Sequence, residues 1–435
     1  MDKNKIKIIY DISVLGKSLY PAGVSRVVEE TAAGLCRHPE CELIFCADKN
    51  SYPYLKKYLE NVDCFPGCRL SEPDMLIPFP FFISCLGHCS TRKRELKAMI
   101  KKGGQYRFGL KVRKDFFSCA QKAMDLLLVN NMSWKDLGAA AIYHLMHPNL
   151  PDFVRRYDNL SFFQTIHDII PILYPQYCSD SSAQLMKRNI GWLSKKDFLL
   201  CVSHSTRNDL LNYSRKFDPA RVFVTHPAAS KKFHPCGFPE EIKAVKTKYK
   251  IPGEGRYVLS VATFNPRKNL HTLVKSFAQL VASERINDLS LVLIGRLDRD
   301  YEKVFQEIEN TPGEIRRKII ITGYADDVDL SPLYTGSVAF VCPSIYEGFG
   351  LPPLEAMQCG APVITSNTSS LPEVVGDAGI MLEPDDADGL SDAIYKIYSS
   401  ESLRENMSGR SRERAGLFSW EKCVGQTVAA YRKAI

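Results

Sequence analysis

Six short apolar runs in the C-terminal half of the chain alternate with segments of helical periodicity. The runs are 257–263, 289–295, 318–322, 338–342, 362–365 and 378–382. Each is short and largely apolar without polar alternation, which is typical of strands buried on both faces. Segments 269–284 and 390–399 carry apolar residues at helical spacing. This alternation predicts an α/β fold with a parallel, doubly wound sheet.

The N-terminal half repeats the pattern less cleanly. We expect strands at 6–10, 43–46, 140–145, 161–166 and 198–202, with a helix at 24–36. A Pro- and Lys-rich passage between 226 and 239 then separates the two halves. The sequence therefore predicts two Rossmann-like domains, residues 1–230 and 231–415, followed by a C-terminal helix at 416–435. Two such sheets facing a cleft would bind ligands at the carboxyl ends of their strands.

The net charge of +8 is concentrated in one segment. Residues 92–115 contain ten basic and two acidic side chains, so the rest of the chain is formally neutral. Such a segment suits an anionic partner. Arg92–Lys114 would contact either a lipid surface or a lipid-diphosphate acceptor. Alternatively, a nucleic acid would bind the cations and stack on the aromatic residues between them. A solvated helical face is the remaining interpretation.

The 14 cysteines do not indicate a disulfide framework, because the chain is long and shows no apolar segment after Met1. We expect reduced thiols in the cytoplasm and no membrane span. Cys64, Cys68, Cys85 and Cys89 are soft ligands, but their spacing fits no standard zinc knuckle, so their metal binding stays open.

The segment 343–362 combines a strand end, a glycine loop and a helix start. Gly348 and Gly350 allow close backbone approach, and the prolines at 352–353 suit a first helical turn. Exposed amides at such a start favour a phosphate or diphosphate. The loop residues expected to contact it are Gly348, Phe349, Gly350 and Leu351.

Two carboxylates flank this loop. Glu347 and Glu355 would repel a diphosphate unless each points past it toward a vicinal diol, as in a nucleotide-sugar with Glu355 at the ribose and Glu347 at the sugar. The alternative is structural: Glu347 ends a strand loop and Glu355 is a carboxylate of the first helical turn.

Three further candidates follow predicted strands. Arg267 and Lys268 come after the first strand of the C-terminal half, where paired cations neutralise phosphate, although a solvated basic loop has the same composition. His167 follows the strand 161–166 and is either a sugar donor or general base, or a loop histidine bonded to backbone. Gly23 precedes a helix and is a weaker phosphate candidate.

These residues carry a resemblance. The run Tyr-Glu-Gly-Phe-Gly-Leu-Pro-Pro-Leu-Glu-Ala-Met, with Pro-Arg-Lys-Asn-Leu upstream and Thr-Ile-His-Asp in the first half, resembles retaining glycosyltransferases of family 4. The resemblance implies the GT-B fold, a nucleotide-sugar donor, no required metal or other cofactor, and a last helix that returns to the N-terminal domain. It also implies that Arg267 and Lys268 bind diphosphate, and that Glu347, Glu355 and His167 contact sugar and ribose.

One departure affects the expected donor. Many family members carry an arginine where this chain reads Val261-Ala262-Thr263, so Arg267 is the expected substitute. The Pro-Arg-Lys-Asn and His-Asp-Ile-Ile-Pro motifs resemble bacterial mannosyltransferases of O-antigen and polysaccharide assembly, which implies GDP-mannose and a saccharide or lipid-linked acceptor. Rhamnose, glucose or N-acetylglucosamine donors, an epimerase or phosphorylase on this scaffold, and a nucleic-acid-binding protein using 92–114 are the alternatives.

Overall fold

The computed structural model describes residues 5–15, 23–47, 51, 55, 58–59, 65, 68–71, 134–147 and 152–435. The basic segment Arg92–Lys114, and Cys64, Cys85 and Cys89 of the cysteine cluster, lie outside these residues. Predictions made for those positions therefore stay predictions.

A parallel sheet is formed in the first half of the chain. Its strands are β1 (Ile6–Asp11), β2 (Cys41–Cys46), β3 (Arg69–Leu70), β4 (Ile142–Leu145), β5 (Ser161–Ile166), β6 (Phe198–Cys201) and β7 (Val222–Val224). Their order is β3-β2-β1-β4-β5-β6-β7, and β1 pairs in parallel with both β2 and β4. The order turns back beside the first strand, as in a Rossmann-like sheet.

The second half forms another parallel sheet. Its strands are β8 (Arg256–Val261), β9 (Leu289–Ile294), β10 (Ile319–Gly323), β11 (Ala339–Cys342), β12 (Val363–Ser366) and β13 (Ile380–Leu382). Their order is β10-β9-β8-β11-β12-β13, and β8 pairs in parallel with β9 and β11. The two sheets confirm the predicted pair of doubly wound α/β domains.

Helices connect these strands. They are α1 (Gly23–Arg37), α2 (Trp134–Ala139), α3 (Ile170–Leu173), α4 (Asp180–Trp192), α5 (His204–Tyr213), α6 (Pro239–Lys248), α7 (Leu270–Ser283), α8 (Glu302–Asn310), α9 (Gly313–Arg316), α10 (Asp327–Thr335), α11 (Leu351–Gln358), α12 (Leu371–Val375), α13 (Ala387–Ser399), α14 (Glu401–Ala415) and α15 (Trp420–Arg432). None of those in the described ranges is long and apolar enough to cross a membrane.

The second sheet is buried on both faces because its side chains alternate between two apolar clusters. Tyr257 and Leu259 of β8 belong to one cluster, whereas Val258 between them belongs to the other. The second cluster also contains the apolar face of α7, including Phe277, which is fully buried. This double burial explains why the strands read as continuous apolar runs in the sequence.

The chain divides into two compact units. One comprises Met1–Thr165, Lys196–Leu200 and Thr427–Ile435, and the other comprises Ile166–Lys195 and Cys201–Gln426. Side chains that follow β6 bind residues of the C-terminal half. Ser203, for example, donates a hydrogen bond of 2.7 Å to the carbonyl of Gly348. In contrast, β7 belongs to the first sheet although its residues fall in the second unit. The predicted boundary at residue 230 therefore stays a prediction.

The end of the chain is anchored in the first unit. The hydroxyl of Tyr431, which is fully buried, lies 2.6 Å from Nδ1 of His144. Nε2 of the same imidazole lies 2.9 Å from Oγ1 of Thr165. Both ring nitrogens of this buried histidine are thus engaged.

The expectation of reduced thiols is wrong for one pair of cysteines. Cys36, in the last turn of α1, forms a disulfide with Cys68, which lies next to β3. The fold brings their Cα atoms to 6.7 Å, a separation that spacing along the chain could not reveal. Cys68 is therefore not a zinc ligand in this structure.

Candidate active site

The candidate site lies where the strand order of the second sheet reverses. β8 and β11 are hydrogen-bonded neighbours, and the other four strands of this sheet lie two on each side of the pair, β9 and β10 beside β8 and β12 and β13 beside β11. Loops that leave the carboxyl ends of such a strand pair separate to opposite faces and open a crevice for ligands. The residues that follow β8 and β11 are the predicted Arg267–Lys268 pair and the Glu347 loop.

The loop after β8 is built around two asparagines. Asn265 accepts a 3.0 Å hydrogen bond from the amide of Arg267, which starts a short 3-10 turn at Pro266–Lys268. Asn269 ends that turn in the left-handed region with φ of 57°, which asparagine tolerates better than most residues. This geometry holds the two cations at fixed positions between the asparagines.

Asn269 also joins this loop to its neighbours. Its Nδ2 donates hydrogen bonds of 3.1 Å to the carbonyl of Pro343 and 2.6 Å to that of Pro384. In addition, the amide of Ile345 donates to the carbonyl of Arg267 at 2.8 Å. The loops after β8 and β11 are therefore cross-linked by backbone carbonyls, and their side chains keep a defined spacing.

Glu347 binds both predicted cations. Its Oε1 lies 2.5 Å from Nζ of Lys268, and its Oε2 lies 3.1 Å from Nη1 of Arg267. Only 9% of Glu347 is exposed. Burial opposes its ionisation, but Lys268 and Arg267 more than offset burial and lower its pKa to about 2. Glu347 is therefore an anion at neutral pH.

The ion-paired cluster of Arg267, Lys268 and Glu347 contains two positive charges and one negative charge. Burial disfavours the charged form of Arg267, but Glu347 outweighs it and raises the pKa of the guanidinium. The second carboxylate oxygen of Glu347 already holds Arg267 against the loop carbonyl of Tyr346. A fixed carboxylate beside two fixed cations suits a ligand with both phosphate and hydroxyl groups.

His167 and Asp168 lie against the same loop. A Cβ placed on Gly348 would stand 2.2 Å from the carbonyl oxygen of His167 and 3.0 Å from Cβ of Asp168. Asp168 accepts a 2.9 Å hydrogen bond from the amide of Ile170. Burial raises its pKa despite that bond and the nearby Arg267. The structure thus brings the predicted His167 next to the Glu347 loop.

The helix start after Gly350 forms as predicted. Gly350 has φ of 110°, which favours glycine, and α11 then begins at Leu351 with prolines in its first turn. Phe349 is buried in the apolar core, whereas Leu351 packs against that core and stays partly exposed. Of this segment, the backbone rather than the Phe349 ring is available to a ligand.

Glu355 occupies a different environment from Glu347. It is 3% exposed and accepts a 3.1 Å hydrogen bond from the hydroxyl of Tyr334, which is fully buried. Its assignment to ribose stays a prediction. Gly23, the other predicted residue, is the first residue of α1 and belongs to the first unit.

Sequence reasoning missed several supporting residues. Tyr346 donates its hydroxyl to Asp209 of α5, and its ring lies 4.8 Å from that of Tyr174. Ser203 and Thr206 donate hydrogen bonds of 2.7 and 3.1 Å to the carbonyl of Gly348. Ser203 also caps α5, because its hydroxyl accepts a 3.0 Å hydrogen bond from the amide of Thr206. The other contacts carry no signal in the sequence.

Two Rossmann-like parallel sheets, with paired cations and a carboxylate at the switch point of the second, are typical of the GT-B class of glycosyltransferases. The sequence model of the family described as "Glycosyl transferases group 1" matches residues 241–414 of this chain. The chain is 34% identical over 306 residues to the O-antigen chain mannosyltransferase B of Escherichia coli, covering 67% of this chain and 79% of that protein. The chain therefore belongs to the group 1 glycosyltransferases, the family 4 enzymes.

Other relatives are similar. The serotype-specific mannosyltransferase WbdA of Escherichia coli is 29% identical over 62% of this chain, which spans 33% of WbdA. Among solved structures, Anabaena HepE in complex with UDP and glucose matches with a TM-score of 0.65 and 14% identity, over 98% of this chain and all of HepE. Sucrose-phosphate synthase of Thermosynechococcus elongatus matches with a TM-score of 0.65 and 20% identity, over 99% of both chains. These structures support the fold alone.

Proposed function

We propose that the protein is a retaining, metal-independent mannosyltransferase. It takes mannose from GDP-mannose and transfers it to a saccharide or lipid-diphosphate-linked acceptor during assembly of a surface polysaccharide. The observation that carries the proposal is the binding of Glu347 by Arg267 and Lys268 at the switch point of the second sheet. The mannosyltransferase names of the relatives support the choice of sugar.

The cations act on the leaving group. When the bond between the sugar and the diphosphate breaks, negative charge grows on the phosphate oxygen. Arg267 and Lys268, together with the amides at the start of α11, stabilise that charge where it develops. Arg267 and Lys268 are both largely buried at the site. Their fixed positive charge takes the place of the metal ion that many sugar transferases need.

Glu347 and His167 act on the sugar. Glu347 accepts hydrogen bonds from sugar hydroxyls, which orients the anomeric carbon, and His167 contacts the sugar from the adjacent loop. The acceptor oxygen forms its bond to the anomeric carbon on the face that the diphosphate leaves. Its proton passes to the departing phosphate oxygen, so the products are a retained glycoside and GDP. No separate general base is needed.

The cellular setting is a further part of the proposal. A cytoplasmic enzyme meets GDP-mannose and a lipid-linked acceptor at the inner face of the plasma membrane. The basic segment 92–114 would contact anionic lipid headgroups there, at about 1 kcal/mol per cation near the surface. Nucleic acid is not a partner in this proposal.

A donor panel tests the proposal. The full chain is incubated with GDP-mannose, UDP-glucose, UDP-N-acetylglucosamine or dTDP-rhamnose, with and without a mannosylated acceptor and with and without added Mg²⁺ or Mn²⁺. We expect acceptor-dependent release of GDP from GDP-mannose and an α-linked product by NMR. Transfer from another donor, dependence of activity on added Mg²⁺ or Mn²⁺, an inverted product, epimerised donor or phosphate-dependent cleavage would each overturn a named part of the proposal.

A further inference from the structure

Three potential metal ligands converge outside the candidate active site. His204 is the first residue of α5, His226 follows β7, and Glu373 lies in α12. One ligand atom from each residue lies within 4.8 Å of the other two. His204 is exposed, whereas His226 and Glu373 are partly buried. Three elements that are distant in sequence thus present two imidazoles and a carboxylate to one point.

Contacts around the cluster already orient its members. Nε2 of His226 lies 2.5 Å from Oε1 of Glu373. Glu373 also accepts hydrogen bonds from the amides of His204, at 2.8 Å, and Ser205, at 3.3 Å. The rings of His204 and His226 are 5.4 Å apart and tilted by 56°. Although burial of Glu373 opposes ionisation, these hydrogen bonds hold its pKa below the ordinary value.

We infer that His204, His226 and Glu373 form a zinc site. Two imidazole nitrogens and one carboxylate are a common three-ligand set for Zn²⁺, and the exposed side of His204 leaves a fourth position for water. Bond lengths of about 2.0–2.2 Å to zinc require ligand atoms about 3.3 Å apart. The His226–Glu373 contact must open slightly and the His204 ring must move inward.

The chemistry of the set excludes hard cations as the preferred occupant. Mg²⁺ and Ca²⁺ prefer oxygen ligands, whereas this cluster offers two nitrogens and one carboxylate group. The ligand chemistry therefore selects zinc or a similar transition-metal ion.

A bound ion would stabilise the start of α5, which contacts the loop that carries Glu347 and Gly348. The start of α5 carries Ser203 and Thr206, which donate to the carbonyl of Gly348. Glu373 joins that start to α12 through the His204 and Ser205 amides. Zinc would replace this hydrogen-bonded link by coordinate bonds and stabilise the position of α5. The inference stands whether or not the proposed donor is correct.

Zinc binding to the metal-stripped full chain tests the site. Competition with a chromogenic chelator measures affinity, and substitution by Co²⁺ gives an absorption spectrum that reports the ligand types. The variants are His204→Ala and His226→Gln. Both keep the backbone amides of His204 and Ser205, which donate to the carboxylate of Glu373. The control is His234→Ala, because His234 is exposed and contacts its neighbour Pro235.

We expect one zinc ion per chain, a melting temperature that rises with zinc, and affinity reduced about tenfold or more in the two ligand variants but not in the control. The Co²⁺ spectrum should show nitrogen and oxygen ligands without thiolate charge-transfer bands. Thiolate bands, equal affinity in all four proteins, or no stoichiometric binding would overturn the inference and leave a hydrogen-bonded cluster only.

Discussion

Nζ of Lys268 lies 2.5 Å from Oε1 of Glu347, and this contact joins the loops that follow two adjacent strands of the second sheet. In the absence of a ligand, the carboxylate neutralises part of the charge of Arg267 and Lys268. An arriving diphosphate therefore meets cations that are already positioned and need little reorganisation. The contact also ties stability to the ionisation of Glu347, so that binding and folding can be tested on the same residues.

Replacing Glu347 should change how stability depends on pH. The pKa of Glu347 falls from 4.5 to about 2 in the folded protein, so its ionised form stabilises the fold above about pH 4.5. That contribution disappears as pH falls toward 2. Glu347→Gln should lower the free energy of unfolding at neutral pH by about 2 kcal/mol, because it leaves two cations unpaired.

Urea unfolding between pH 2 and 7 measures this effect. The difference in free energy of unfolding between wild type and Glu347→Gln should shrink as pH falls from about 4.5 toward 2, where Glu347 loses its charge. Glu405→Gln, at an exposed position of α14, is the matched control and should follow the wild type. Parallel pH curves for wild type and Glu347→Gln would show that the ion pairs do not stabilise the fold.

Gly348→Ala should disrupt the site by steric clash. Its Cβ would stand 2.2 Å from the His167 carbonyl oxygen, so one of the two loops must move. We expect a loss of about 1–3 kcal/mol in stability, together with a large fall in turnover. Gly409→Ala is the control, because no atom lies within 4 Å of its added Cβ in α14. That helical substitution should stabilise by about 0.5–1 kcal/mol, and equal melting temperatures for both variants would refute the prediction.

Substitutions of Asn269 separate its backbone role from its side-chain role. Asn269→Gly keeps the left-handed backbone but loses both bonds to the carbonyls of Pro343 and Pro384, at about 1–2 kcal/mol. Asn269→Ala loses the same bonds and pays about 1 kcal/mol more for φ of 57°. The expected order of melting temperatures is Asn, then Gly, then Ala. An alanine variant as stable as the glycine variant would contradict it.

Arg267→Lys tests whether the guanidinium geometry matters beyond its charge. Nη1 of Arg267 donates to both the Glu347 carboxylate and the Tyr346 carbonyl. The planar guanidinium carries further N–H groups that suit bidentate binding of a phosphate, whereas an ammonium acts as a point charge. We expect kcat/KM for the donor to fall about tenfold with the overall fold unchanged by circular dichroism. Lys248→Arg is the control, since Lys248 binds the carboxylates of Asp326 and Asp329 and lies over the Tyr249 ring, none of which belongs to the candidate site. Unchanged donor kinetics in Arg267→Lys would assign diphosphate binding elsewhere.

The regular elements and the strand-end motifs were predictable from the sequence because they depend on local patterns. Apolar runs located β8 to β13, and glycine and proline spacing located the start of α11 at Leu351. The resemblance added roles for Glu347, Arg267 and Lys268. The structure then placed these three side chains in direct contact.

Contacts between distant segments were not predictable. The hydrogen bond from Tyr346 to Asp209 joins residues 137 positions apart, and no periodicity links them. The Cys36–Cys68 disulfide similarly depends on how α1 and β3 are placed by the sheet. The early entry of the chain into the second unit at Ile166 has the same cause. Such features need tertiary structure, because many pairings satisfy the same local pattern.

The rate of mannose transfer by Glu347→Gln tests the central claim most directly. Wild type and variant are compared over a range of GDP-mannose concentrations with a mannosylated acceptor, at neutral pH and at a temperature where both are folded by circular dichroism. The account predicts that the wild type forms product and that kcat/KM of the variant is lower by about a hundredfold. Transfer by the variant within about twofold of the wild type would contradict the assignment of this cluster as the donor site.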